Sequence, residues 1–213
     1  MLAGFYKSKS VLAAETIALI IFPLILLKFF PDWLIYRNWV MLGGLVYVTL
    51  FAWSQQLSWK QLGFQLTNFK RAMMVLIRPT LITMFFIALL YLFFPVDFVF
   101  PLGVAGVGIS PVSVSVFRYS LVSVPFQEIL FRSYLINRAG LVISNQLFIR
   151  IYATIIFMLI HIPFKTLPLT LGSLFLGWIW VGNFLKFRNI YSVMLSHALV
   201  GLTYVLLMFI FKP

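Results

Sequence analysis

The chain contains no cysteine, and only four of its 213 residues are acidic. Without cysteine there is no disulfide framework, no thiol nucleophile and no Cys-ligated metal. Charged residues make up 9% of the chain, far short of the roughly one quarter usual for a soluble domain. No Gly/Ser-rich or low-complexity stretch interrupts it, and no polar segment is long enough to form a separate soluble domain.

Apolar residues fill the space instead. Hydrophobic residues reach 63% and aromatics 18%, with a mean hydropathy of +1.07. Apolar runs of about 20 residues recur along the chain, each able to cross roughly 30 Å of hydrocarbon. The expectation is an all-α, polytopic membrane protein. The N-terminal stretch MLAGFYKSKSVLAAETIALIIFPLILLKFF places basic residues before an apolar run, as a signal peptide does. The run is too long, and no small-residue cleavage site follows, so it reads as a retained first span.

The net charge is +12, but Lys and Arg are scattered among the loops and form no patch. That distribution argues against nucleic acid and for a positive-inside bias beside anionic lipid. Hydropathy gives seven candidate spans, at about 11–30, 38–55, 72–95, 114–137, 147–163, 166–184 and 189–211. Pro23, Arg78 and Pro79 interrupt spans and are candidate kinks. Between the second and third spans, QQLSWKQLGFQLTNFKR reads as a short interfacial helix.

Alternate loops then sort the charge. Lys7, Lys9, Lys60, Lys70, Arg71, Arg138, Arg150, Lys186 and Arg188 fall on one side, and Lys28, Arg37, Lys165 and Lys212 on the other. The bias puts the N-terminus in the cytoplasm. Residues 1–213 form one membrane domain, with N-terminal helices and the interfacial segment in 1–110 and a core in 111–213.

Ionisable groups at membrane depth are costly and mark candidate sites. Glu128 and Arg132 stand at i and i+4 on one helix face, where they can pair. The only two histidines, His161 and His197, lie in two later helices of the same half. One carboxylate and two imidazoles in a low-dielectric bundle can bind and polarise water. Counting about 1.5 Å per residue puts His161 several ångströms further out than the other two. Glu15 lies near the end of the first span, within reach of water, and reads as structural. Ser196 beside His197 is not a Ser–His pair, since adjacent helical residues point about 100° apart. No HExxH spacing is present, and no metal or cofactor is expected.

Three segments carry a resemblance: QEILFR at 127–132, FMLIH at 157–161 and HALVG at 197–201. In order and spacing they resemble the EExxxR, FxxxH and HxxxN/D motifs of the CPBP family, the CAAX prenyl protease and bacteriocin-processing intramembrane endopeptidases. The resemblance covers about residues 110–211. It implies a CPBP-type core and hydrolysis of a membrane-presented peptide or protein substrate by activated water. By position His161 inherits water activation and His197 oxyanion stabilisation. Glu128 and Arg132 match the second Glu and the Arg, which orient and charge-balance the site, and Phe157 matches the aromatic of the second motif.

Two positions depart from the pattern. Gln127 stands in place of the first Glu, and an amide cannot take a proton from water. A missing general base costs about 10²–10⁴-fold. Gly201 stands in place of Asn or Asp, and a missing oxyanion donor costs about 10²–10³-fold. Three accounts of Gln127 stay open at this stage: a lost reaction with the fold kept as a scaffold, an immunity-like binder or a subunit of a membrane complex; a Glu→Gln change made to arrest the enzyme; and takeover by Glu128. The takeover ranks last, because Glu128 points about 100° away from Gln127.

Overall fold

A computed structural model describes residues 2–22, 25, 29, 37–94, 112–164 and 166–211. Among these, every regular element is helical. After a single turn at Leu2–Phe5, α1 (Lys9–Thr16) runs on as a π turn, Ile17–Ile21. Then come α2 (Arg37–Ser54) and α3 (Phe69–Phe93). Helix α4 covers residues 112–140 and is broken twice by π turns, Tyr119–Ser123 and Ile129–Tyr134. Helices α5 (Gln146–Leu159), α6 (Leu167–Phe187) and α7 (Ile190–Phe211) complete the chain.

Each of the seven apolar segments is helical over most of its described residues. Three helices are long and apolar enough to cross a membrane: Phe69–Phe93, Leu167–Phe187 and Ile190–Leu207. Their outer faces carry large exposed apolar side chains, Phe85, Phe86, Leu171 and Phe175 among them. A water-soluble protein does not expose so continuous an apolar surface, whereas lipid is a suitable solvent for it. The architecture is that of a helical membrane protein. Pro23, Lys28, Lys165 and Lys212 lie outside the described residues. Helix α3 continues through Pro79 without a break in its helical assignment.

Helix α7 is the centre of the packing, lying along α3 and touching α4 and α6, while α5 and α6 form an antiparallel pair. The turn between α6 and α7 is short because Arg188 adopts a left-handed conformation (φ 48°) and closes α6 through its N–H to Phe184 O. Asn189 then caps α7, its side chain accepting from Ser192 N at 2.9 Å. Such a turn sets α6 and α7 side by side, which brings Trp180 against His197.

The expected interfacial helix is not formed. Residues 55–68 are a succession of turns, with positive φ at Gln56 and Gly63. They dock on the α6–α7 turn instead. Gln65 Nε2 donates to Phe187 O and Arg188 O, Asn189 Nδ2 donates to Gln65 O, and Ile190 N donates to Gly63 O. These partners are more than a hundred residues away in sequence. Long-range bonds to exposed carbonyls satisfy the backbone here in place of an i→i−4 ladder.

Glu15 is also placed differently from expectation. It is buried and paired with Arg138, whose Nε lies 2.6 Å from Glu15 Oε2. Arg138 Nη1 donates to Tyr6 O at 2.6 Å, and the Tyr47 hydroxyl donates to Glu15 Oε1. The charge pattern places Arg138 in a loop, yet it is fully buried. It fastens α4 to α1, because a buried guanidinium needs both a carboxylate and acceptors for its remaining protons.

Candidate functional site

The site is built where α4, α5, α6 and α7 meet. Its first contributor is the irregular helix α4. Pro125 has no N–H, and in an α-helix its ring would collide with the carbonyl of Leu121. Leu121 lies in the first π turn, where the backbone is already wound wider. The helix therefore continues past the proline and delivers Glu128 inward, with no exposure to solvent.

Glu128 bridges two cations or potential cations. Its Oε1 accepts from His197 Nδ1 at 2.7 Å, and its Oε2 lies 3.1 Å from Arg132 Nε. The carboxylate thus ties α4 to α7 and holds the guanidinium one turn further along α4. Arg132 is fully buried as well, and its Nη1 and Nη2 have no acceptor among the described residues. Its charge is met from the side by aromatic faces, the Phe157 ring at 4.3 Å and the Trp180 ring at 5.7 Å. Desolvated contacts of this kind each contribute up to about 2 kcal/mol.

The Phe157 ring is the hub of the arrangement. It lies 4.9 Å from the His161 ring and 5.8 Å from the His197 ring, centroid to centroid. His161 follows α5 in a turn, and its Nδ1 is 2.8 Å from Phe157 O. Against a carbonyl, Nδ1 must carry the proton, so the neutral ring keeps its lone pair on Nε2. The same holds for His197, whose Nδ1 faces a carboxylate. Both imidazoles are therefore oriented through Nδ1 and present Nε2 outward from their anchors.

The predicted residues are brought together to different degrees. Glu128, Arg132 and His197 are in direct contact. His161 joins them through the shared Phe157 ring and not through a bond. Among the described residues, no three His, Asp or Glu come close enough to form a metal ligand set. Gln127 is half-buried and turned to its own helix, its Nε2 donating to Ser123 Oγ at 2.9 Å. A groove of about 990 Å³ opens elsewhere, between α2 and α4, lined by Val48, Trp53, Trp59, Leu62, Ile129 and Ser133 among others.

Trp180 was not anticipated from the sequence. Its ring stacks on His197 at 4.7 Å with 29° between planes. Its Nε1 donates to Ser196 Oγ at 2.8 Å, and Ser196 Oγ also lies 2.6 Å from Thr80 Oγ1. Ser196 is thereby committed to α3 and α6, away from any pairing with His197. The available signal was a tryptophan in the middle of an apolar span, where an interfacial position is the usual one.

This is a donor-rich, water-poor constellation: a guanidinium with two unaccepted nitrogens beside two imidazoles, balanced by one carboxylate. Such a set can stabilise a developing oxyanion and move a proton at imidazole nitrogen. Residues 109–203, which contain all three motif segments, match the family model described as Rce1-like, type II CAAX prenyl endopeptidase. No curated protein and no solved structure matches the chain.

Proposed function

We propose that the chain is a member of the CPBP family, as the match of residues 109–203 to the Rce1-like model supports, and that it is a multi-pass membrane endopeptidase acting on a peptide presented at or within the bilayer. The observation that carries this reading is the Glu128 bridge between His197 and Arg132, beside the ring that His161 shares. Water adds to the scissile carbonyl carbon while His161 Nε2 takes one of its protons. The carbonyl π pair moves to oxygen, which the unpartnered Nη1 and Nη2 of Arg132 face. Collapse of the tetrahedral species breaks the C–N bond, and the proton on His161 passes to the departing amine. Glu128 keeps His197 and Arg132 in place and balances their charge.

Gln127 sets the rate. Its amide can hold water but cannot take its proton, so the reaction runs on His161 alone and is slow. Replacing Gln127 with Glu supplies the missing base and raises cleavage by about 10²–10⁴-fold. The test is cleavage of a reconstituted membrane peptide by the Gln127 chain and by Gln127→Glu, each with and without His161→Ala. Equal rates for the Gln127 and Gln127→Glu proteins would remove Gln127 from the mechanism.

A second reading has its own support. The Gln127 Nε2 is turned to Ser123 on its own helix, as suits a protein that has left catalysis and uses the same helices to bind a membrane partner. No cleavage by either form, together with tight partner binding, would favour it. In both readings Lys7, Lys9, Lys60 and Lys70 face the cytoplasm and anionic lipid, and seven spans cross the bilayer.

A further inference from the structure

Gly201 lies one helical turn beyond His197 on α7 and shares its face. A Cβ built there would overlap the hydroxyl oxygen of Tyr119 and its ring atoms Cζ and Cε1. These are atoms of a rigid ring, so no side chain fits at 201 while Tyr119 stays. The phenol of α4 fills the volume that a side chain on α7 would take. Its ring meets the His197 ring edge to face at 6.2 Å, and its hydroxyl bonds to no described residue.

The backbone explains how Tyr119 arrives there. In an unbroken α-helix, nine residues turn through about 900°, so Tyr119 and Glu128 would face opposite ways. The π turn at Tyr119–Ser123 absorbs one residue, which leaves an offset of about 80°. Both residues can then face α7. Packing alone does not call for the hydroxyl. Phenylalanine would fill nearly the same volume without placing a polar group in an apolar bundle.

We propose that the Tyr119 hydroxyl is the hydrogen-bond donor that meets the substrate's carbonyl oxygen beside His197, in place of a side chain at 201. This rests on the peptidase reading above. The phenol keeps its proton throughout. It donates to the oxygen as the carbonyl π pair moves there, so its bond is strongest in the tetrahedral species.

The experiment is steady-state cleavage of a membrane peptide in liposomes by the unsubstituted chain, Tyr119→Phe, Tyr119→Ala and Tyr119→Ala/Gly201→Asn. The same set is repeated with Gln127→Glu, and thermal midpoints in detergent are recorded alongside. Tyr119→Phe is expected to lower kcat by about 10²–10³-fold, with KM and the midpoint unchanged. Asn at 201 should recover part of the kcat that Tyr119→Ala loses, because the space is now free for it. Tyr119→Phe at full kcat overturns the assignment, as does a loss confined to KM. Cleavage that ignores Tyr119 sinks this inference alone. Absence of cleavage from every form, Gln127→Glu included, sinks the peptidase reading and takes this one with it.

Discussion

Replacing Glu128 with Gln removes one charge from a buried ion pair. The carboxylate and Arg132 are both fully buried, with Nε and Oε2 3.1 Å apart. At an effective dielectric of about 20, unit charges at that separation attract by about 5 kcal/mol. The amide keeps one oxygen, so it can still accept from either His197 or Arg132, and that bond returns about 1 kcal/mol. Its NH₂ then faces the other donor. The expected cost is about 3–5 kcal/mol, the range for a buried pair that loses one partner. Arg132→Met should cost a similar amount, since it strands the carboxylate. Glu128→Gln/Arg132→Met should cost well under the sum, because neither charge is then left alone. The assay is reversible unfolding of the purified protein in mixed micelles, run on all four forms. Single variants that each lose less than about 1 kcal/mol, and that add, would refute the argument and mean that the pair is solvated.

Arg138→Met strands Glu15 and frees the carbonyls of Tyr6 and Ser8. A loss of about 3–5 kcal/mol is expected, with faster tryptic cleavage at Lys7 and Lys9 as α1 detaches. Gly63→Ala forces a side chain into φ 92°, with its Cβ 2.5 Å from the Phe184 ring. It should cost at least about 1–3 kcal/mol and raise amide exchange at the α6–α7 turn. Gln127→Glu should raise peptide cleavage, read by mass spectrometry of the products, and its dependence on His161 should be retained.

The seven helical segments were legible because an apolar run of span length has few other uses. The Glu128–Arg132 pair was legible for a related reason: i and i+4 on a helix share a face, whatever surrounds them. Long-range partners were not. Arg138 looked like a loop charge because it sits near a helix end, and Glu15 looked solvated because it sits near another. Only the fold sets those ends side by side. The segment 55–68 carries Trp, Leu and Phe among basic residues, which locally suits an amphipathic helix. Its bonds to Phe187, Arg188 and Ile190 override that pattern. Trp180 passed as one more apolar residue, since hydropathy does not distinguish a ring that packs from a ring that stacks on an imidazole.

Helix α4 gains its importance from irregularity. Its first π turn moves Tyr119 round toward the side of Glu128, as argued above. Its second, Ile129–Tyr134, acts on the other end. Ten residues separate Glu128 from Arg138, and in an unbroken α-helix they would lie about 80° apart. With one residue absorbed by the π turn, the offset becomes about 180°. Glu128 faces α7 and His197, while Arg138 faces α1 and Glu15. The chain has only four acids, and two of them must serve two buried arginines six residues apart on one helix. Only about 80° from Glu128, as in an unbroken helix, the Arg138 guanidinium would compete with His197 for the same carboxylate. The second π turn keeps the pairs separate, so one arginine fixes the N-terminal helix and the other stays with the imidazole.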